Sequence, residues 1–474
     1  MADVGNTNNP LRVAIIGSGP AGFYVVSNLL RYTDLQVEMD MFERLPTPFG
    51  LVRYGVAPDH PKDKSVTRTY DRIAHNPNYR FYGNVQYGKD INLQDLQQHY
   101  HQIVFATGAQ TDRSLGIPGE TLRGNHSAAE FVAWYNGHPD FADLQFDLTR
   151  EDVVVVGMGN VALDVARILC RTSAELAQTD IADYALEALR NHKIRRIYVL
   201  GRRGPAQAAF TPLEIRELGE LTDTDVRVLP DEARLDAVSE EFLAANPSRN
   251  ADKNIACIER YSHTAPAGRK RLLTLRFFVS PAELRGQAGR LTAVRLVKNQ
   301  PVRADDGSVR ARATDIEEIL PAGLLFRSVG YRGVALPDVP FNEDSGLIEN
   351  QQGRVTDTAG KALAGLYVAG WIKRGPSGVI GTNKTCARET VDCMLEDVAG
   401  NKLLQPKSAD PQTVAQLVRE RCNQMISYHD WELIDAAEVS NGKSANRPRV
   451  KFTKLDDMLT VLDQARNTDT RHSP

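Results

Sequence analysis

Gly17, Gly19 and Gly22 stand at G-x-G-x-x-G spacing directly after Leu11 to Ile16, an apolar run rich in β-branched residues. Glycines so placed have three separate uses. The first lets the chain turn sharply, the second lets backbone approach a pyrophosphate, and the third brings a helix close to the strand. A glycine turn can also serve packing alone. Here Val25, Val26, Leu29 and Leu30 share one helical face after the turn, and a second apolar run, Gln36 to Phe42, ends in Glu43, 26 residues beyond Gly17. The whole segment reads strand, turn, helix, strand, with an acid at the second strand's end. A carboxylate there accepts hydrogen bonds from a ribose hydroxyl and repels a 2′-phosphate, which fits FAD or NAD and opposes NADP.

The pattern recurs with the opposite charge. Val153 to Ala162 reads VVVVGMGNVA, placing Gly157, Gly159 and Ala162 at the three small positions, and Val161, Val165, Ile168 and Leu169 form the next helix's apolar face. A further strand, Ile197 to Leu200, runs into GRRGP. Arg202 and Arg203 now stand where the acid stood, and guanidinium groups suit a doubly charged phosphate. NADPH is the occupant this predicts. Between Arg190 and Pro205 there are six basic residues and no acid; a solvated charge run accounts for Lys193, Arg195 and Arg196, but less well for the two arginines just beyond the strand. One FAD-type and one NADP-type turn in a single chain imply hydride transfer between nicotinamide and flavin.

Other elements must deliver the chain to these turns. Ile103 to Phe105 is an apolar strand ending in Ala106-Thr107-Gly108, and Gly365 to Gly370 reads GLYVAG and is followed by Trp371. The glycine-rich stretch RGPSGVIGTNK then enters a helix from about Lys384, whose N–H groups can face a phosphate or an electron-rich ring edge. Beyond Ala399, helical spacing after Asp410-Pro411 and again after Thr453 predicts a helical extension with a loop near Ser440 to Pro448.

Composition bounds the reading. The 474 residues suffice for about three domain-sized units, and 57 basic against 60 acidic residues leave a charge of −3, which excludes a generally polybasic nucleic-acid binder. Cys170, Cys257, Cys386, Cys393 and Cys422 form no C-x-x-C pair, so a redox dithiol and a built-in iron–sulfur cluster are disfavoured. No apolar run approaches the ~18 residues of a membrane span. Residues 1–10 are polar, with one acid and no Lys or Arg, and are expected to be a disordered start to a cytoplasmic chain.

Seven strings carry a resemblance: VAIIGSGPAGFY, ERLPTPFGLVRYGVAPDHPK, FYGNVQYG, VVGMGNVALDVARIL, GRRGPAQAAFTPLEIREL, RSVGYRG and GWIKRGPSGVIGTNK. Together they resemble the adrenodoxin reductase family, in its bacterial NADPH–ferredoxin reductase branch, over Leu11 to Val398. The resemblance implies FAD held by the first turn including Ala21, by Glu43, Leu51 and Val85, with Trp371, Gly378, Val379 and Ile380 flanking the isoalloxazine. It implies NADP at Arg113, the turn Asn160, Val161, Ala162 and Leu163, at Arg202, Arg203, Glu214 and Gly378. Trp371 replaces the Asp usual in glutathione-reductase-like flavoproteins, which argues against that branch. His60, in Pro58-Asp59-His60-Pro61, reads as a turn histidine on its own, and Glu214 fits a capping box behind Thr211-Pro212 equally well. The resemblance implies an active-site place for both.

The expectation is therefore an α/β chain with two Rossmann-like domains. The NADPH domain, 110–332, is inserted into an FAD domain made of 11–109 and 333–400, and 401–474 form a helical extension. The expected activity is NADPH:ferredoxin oxidoreduction, with single electrons passing to a separate ferredoxin that docks on basic surface at Arg190 to Arg196 or Arg269 to Arg271. Two alternatives stay open: a flavoprotein serving another partner subunit, as the glutamate-synthase small subunit does, and a non-catalytic dinucleotide sensor.

Overall fold

The computed structural model describes residues 4–471. The chain divides into two compact units. Unit 1 comprises the chain up to Val56, His60–Thr111 and everything from Tyr331 onward; unit 2 comprises Ala57–Asp59 and Asp112–Gly330.

In unit 1, β1 (Leu11–Ile16) is buried along its whole length and pairs in parallel with β2 (Val37–Glu43), from Leu11 against Val37 to Ile16 against Phe42. Helix α1 (Pro20–Leu29) joins them. A parallel strand covered on both faces reads as a near-continuous apolar run, and the one charge in β1, Arg12, is buried and paired with Glu38 and Asp40. The sheet continues in the order Asn350–Gln351, Arg354–Thr356, Ala362–Val368, Gln102–Phe105, β1, β2, Tyr79–Gly83, with its last five strands parallel. Chain order reverses beside β1. In such sheets ligands bind in the crevice outside the strands' carboxyl ends at this reversal. A one-turn helix, α2 (Leu51–Tyr54), follows β2.

Unit 2 repeats the plan. Its six-stranded parallel sheet runs Asn125–Ser127, Leu324–Arg327, β3 (Asp152–Val156), β4 (Arg196–Leu200), Arg271–Arg276, Thr224–Val228. Helix α3 (Asn160–Cys170) follows β3, and α4 (Pro212–Leu218) lies beyond β4. An antiparallel meander, Val279–Gln287, Arg290–Arg303 and Val309–Pro321, completes the unit and was not anticipated.

The chain then re-enters unit 1 and supplies α5 (Thr382–Ala399), α6 (Pro411–Arg421), α7 (Tyr428–Ser444) and α8 (Leu455–Arg471). Asp410 caps α6 by accepting a hydrogen bond from the Gln412 N–H. The expected loop near Ser440 to Pro448 begins only after Ser444, because α7 continues through Ser440. The described residues from 401 onward pack into unit 1. Trp431, Ile434, Met458 and Leu462 join the core around β1 and α1, while Val414 and Val418 join the core on the other side of that sheet.

The start of the chain differs from expectation as well. Residues 1–3 lie outside the described residues, but Gly5 and Asn9 close a turn by a 2.7 Å backbone hydrogen bond, and Gly5 accepts from the Gln36 N–H. Backbone pairing to the segment before β2, not composition, orders this stretch. Among the described residues no helix is long and apolar enough to cross a membrane.

Candidate functional site

The three glycines of the first turn differ in what surrounds them. Gly17 has φ +104°, and a Cβ there would lie 2.6 Å from the Ala106 carbonyl oxygen. A Cβ on Gly22 would lie 2.3 Å from the Gly17 carbonyl oxygen. Gly19 is different: a Cβ there would meet no heavy atom within 4 Å. The open position caps α1, and no side chain accepts from the helix's first N–H groups. Those donors and the positive end of the helix dipole are left for an anion.

The surrounding segments fold onto this opening. Phe49 donates its N–H to the Ser18 carbonyl, and Gly50, at φ +48°, brings its Cβ position to 3.0 Å from the Gly19 Cα. Leu51 opens α2 and is half-buried. Glu43 at the end of β2 accepts from the Ser18 hydroxyl (2.6 Å), the Ser18 N–H (3.0 Å) and the Leu45 N–H (3.0 Å). A carboxylate has about four acceptor positions, so one remains for a ligand hydroxyl. The Glu43 carbonyl accepts from the N–H of Val85, whose side chain is buried. Ala21 touches the segment that carries Trp371: a Cβ on Gly370 would lie 2.5 Å from the Ala21 Cβ. Among the described residues, the Trp371 indole N–H is buried with no hydrogen-bond partner, a donor that a bound group would satisfy. Beyond it, Gly378 has φ +77°, Val379 is exposed and Ile380 packs partly on the core.

The second turn is built alike. Gly157 has φ +139°, and a Cβ there would lie 2.2 Å from the Ser328 carbonyl oxygen. A Cβ on Gly159 would meet nothing within 4 Å, and α3 likewise lacks a side-chain cap. Ala162 and Leu163 are buried and Val161 half-buried, while Asn160 turns its amide oxygen to the Thr211 N–H at 2.8 Å. Arg202 is exposed and Arg203 half-buried, and among the described residues neither side chain has an acidic or hydrogen-bonding partner. Burial and the neighbouring Arg202 charge both push the Arg203 pKa down. Two adjacent uncompensated guanidiniums favour an anion. Arg113 is exposed, its N–H bonded to the Gly330 carbonyl. The two turns thus fit dinucleotides, the second with added charge.

His60 belongs to unit 1 and Glu214 to unit 2. His60 is buried, with Nδ1 3.8 Å from Asp63. Glu214 forms no capping box. Asn160 already takes the Thr211 N–H, and the Glu214 carboxylate instead accepts from Arg167 at 2.8 Å. Arg167 went unnoticed in the sequence. Fully buried, it donates to Asp59 at 2.8 and 3.0 Å, to Asp164 at 2.6 Å and to Glu214. Burial lowers its pKa, but Asp164 and Asp59 raise it further, and the net shift is upward. The signal was Asp164 and Arg167, a charged i, i+3 pair on the largely apolar helix α3.

The basic segments expected to dock a partner are compensated internally in part. Arg190 pairs with Glu187 and Arg196 with Asp152; Arg269 pairs with Asp225 and donates to the Leu221 carbonyl. Arg271 is buried and donates to the Cys170 carbonyl and to His192. These pairs take up part of the charge of both runs, while Lys193, Arg195 and Lys270 stay exposed.

Residues 11–199 match the family model described as pyridine nucleotide-disulphide oxidoreductase. The chain is 44% identical over 454 residues to NADPH-ferredoxin reductase FprA of Mycobacterium leprae, covering 95% of this chain and 98% of that one. It is 40% identical over 467 residues to the mitochondrial NADPH:adrenodoxin oxidoreductase of Arabidopsis thaliana, covering 96% of each. A solved structure of Mycobacterium tuberculosis FprA in complex with NADPH superposes with a TM-score of 0.89 at 42% identity, covering 96% of this chain and all of that one. The α/β class with Rossmann-like parallel sheets, expected from the glycine turns, is the fold observed.

Proposed function

Because the chain belongs to the family of NADPH–ferredoxin reductases that includes NADPH:adrenodoxin oxidoreductase, we propose that it is an FAD-dependent NADPH:ferredoxin oxidoreductase. Unit 1 carries FAD and unit 2 carries NADPH. The observation that supports this most is the contrast between the two turns. Both leave an uncapped helix start and open space at the middle glycine, but the first ends at Glu43 and the second at the uncompensated pair Arg202 and Arg203.

When bound, NADPH supplies a hydride and FAD accepts it and releases the electrons singly. The chain's own residues bind and orient. Gly17, Gly19, Ala21 and Gly22 admit the FAD pyrophosphate to the N-terminus of α1, and Glu43 accepts from the adenosine ribose. Leu51, Val85, Trp371, Gly378, Val379 and Ile380 shape the flavin's surroundings, with the Trp371 indole N–H as a donor that a bound group would satisfy. Gly157, Gly159 and residues 160–163 do the same for NADPH, with Arg113, Arg202 and Arg203 supplying cationic donors. Glu214, oriented by Arg167, accepts from the nicotinamide ribose or carboxamide. His60 lines the flavin side. Hydride transfer depends first on alignment, so Glu214 and His60 are read as orienting groups, with no proton step assigned to either.

The electrons leave to a separate ferredoxin. All five cysteines are unpaired and scattered, with no ligand-spaced run for a cluster. Free thiols also suit a reducing compartment, and the cytoplasm is the proposed location.

The test is anaerobic bleaching of the protein-bound flavin by NADPH and by NADH, in the native protein and in Arg202→Gln/Arg203→Gln. Hydrogen bonds to charged groups contribute about 1.5–3 kcal/mol each, so the double variant should bind NADPH at least ~100-fold more weakly. NADH, which lacks the 2′-phosphate, should change by no more than ~3-fold on the same reasoning. Equal losses for both would sink the assignment of the arginine pair.

A further inference from the structure

The two segments of unit 1 assigned to FAD between β2 and residue 85 share an unusual support. Phe49, at φ +83°, and Gly50, at φ +48°, precede a helix of only four residues, Leu51–Tyr54. A non-glycine residue with positive φ persists only where its surroundings over-determine it, and a single helical turn does not hold itself together. The support comes from 385 residues away. Arg53 at the centre of that turn is buried and donates both terminal nitrogens to Glu438 on α7, at 2.9 and 2.5 Å. Its guanidinium also lies 5.1 Å from the ring centre of Trp431 on the same helix, and Trp431 meets Phe49 edge to face at 5.9 Å.

Glu438 is held in turn. It is fully buried and accepts from the Phe452 N–H at 2.9 Å and from Arg449 at 3.1 Å, while the Lys451 ammonium reaches the Arg53 carbonyl at 3.3 Å. Burial would raise its pKa, but the charges and hydrogen bonds of Arg53 and Arg449 hold the carboxyl below the usual range. The second FAD segment is backed by the same part of the chain. Gly83 and Ile426 exchange backbone hydrogen bonds at 2.8 and 2.9 Å, just before Val85.

A buried ion pair is weak evidence for stability, since well-packed apolar residues often do as well or better. A bidentate bridge does something apolar packing does not: it fixes the orientation of a side chain, and with it the turn that bears it. We propose that residues 424–452 are a brace for the FAD site, in which Glu438 locks Arg53 and so holds the strained Phe49–Tyr54 turn in its FAD-accepting form. The proposal rests on the FAD reading of unit 1. Arg53 and Glu438 are positioning residues, and the tail acts on cofactor binding, not on the acceptor protein.

The experiment uses the full chain, stripped of cofactor and titrated with FAD, in three forms: native, Glu438→Gln, and the charge-free pair Arg53→Met/Glu438→Leu. Thermal unfolding of each apoprotein and NADP+ affinity are measured alongside. Glu438→Gln should bind FAD at least tenfold more weakly with NADP+ affinity unchanged. The charge-free pair should regain the native unfolding temperature yet keep the weakened FAD affinity, which a purely stabilising bridge would restore. FAD affinity within twofold of native in Glu438→Gln, or recovered in the charge-free pair, would overturn the brace. Failure of both variants to fold would also overturn it, by showing the pair to be part of the scaffold. Native protein that binds no FAD at all would instead overturn the FAD reading on which the brace depends.

Discussion

The middle glycine of each turn separates binding from folding, and Gly19→Ala is the sharpest perturbation available. Gly19 has φ −77° and ψ −177°, an extended conformation that alanine adopts freely, and the added methyl would touch nothing of the protein within 4 Å. Removing glycine's unfolded-state freedom stabilises by about 0.4–1 kcal/mol, and losing glycine at the helix cap opposes this by a similar amount. Apoprotein stability should therefore stay within about 0.5 kcal/mol of native, as for a neutral surface substitution. FAD binding should not. A methyl forced into the approach of the pyrophosphate resembles overpacking, at about 1–3 kcal/mol, or roughly 5- to 150-fold in affinity. Gly22→Ala is the control of opposite type, since its methyl would lie 2.3 Å from the Gly17 carbonyl oxygen and 3.2 Å from the Met41 terminal methyl. It should lower apoprotein stability as well as FAD affinity. The assay is FAD titration by flavin fluorescence quenching, paired with denaturant unfolding of the apoproteins. If Gly19→Ala destabilised the apoprotein as much as Gly22→Ala, or left FAD affinity intact, the reading of the open space as a pyrophosphate cradle would be wrong.

Two further outcomes follow from buried charge. Arg167→Met removes the cation that Asp59, Asp164 and Glu214 share, leaving Arg171 on Asp59, and breaking a buried pair costs about 3–5 kcal/mol, so unfolding monitored through unit 2 should shift by about that amount, with partial recovery on adding Glu214→Gln. An effect under about 1 kcal/mol would mean the cluster is not the knot its geometry indicates. Acid stability reports on histidines: burial lowers the pKa of His101, His126 and His192 to about 4, each helped by a neighbouring arginine, Arg12, Arg327 and Arg271 respectively. Unfolded histidine titrates near 6.5, so on going below pH 6.5 the unfolded chain takes up protons first and stability falls down to about pH 4, by about 1–2 kcal/mol per histidine at pH 5. Flat unfolding free energy between pH 7 and 5 would contradict this.

What was legible in the sequence was local. The run from β1 through α1 to β2 is decided by neighbours in sequence, an apolar strand, three glycines and an amphipathic helix, and the bounds of its two strands came out within a residue. What stayed hidden depended on distant partners. Helix α7 went unseen because the inner face that bears Trp431 and Ile434 also carries Glu438, a charge that belongs there only because Arg53 meets it from 385 residues away. The capping box at Thr211 failed for the same reason: Asn160, 51 residues earlier, takes the N–H that Glu214 would have accepted. The basic runs at Arg190 to Arg196 and Arg269 to Arg271 are offset in part by acids outside each run, of which Glu187 is near in sequence but Asp152 and Asp225 are 44 residues from Arg196 and Arg269 respectively. Gly19 and Gly159, by contrast, follow from spacing alone, and in the structure a Cβ at either would meet no described atom within 4 Å.

Electron passage from NADPH through FAD to a separate iron–sulfur protein is the reaction proposed. Steady-state reduction of cytochrome c by NADPH, with and without added ferredoxin, tests it most directly. The rate should rise and saturate with ferredoxin concentration, and fall sharply when NADH replaces NADPH. A rate that no ferredoxin increases, or one equal with NADH, would contradict it.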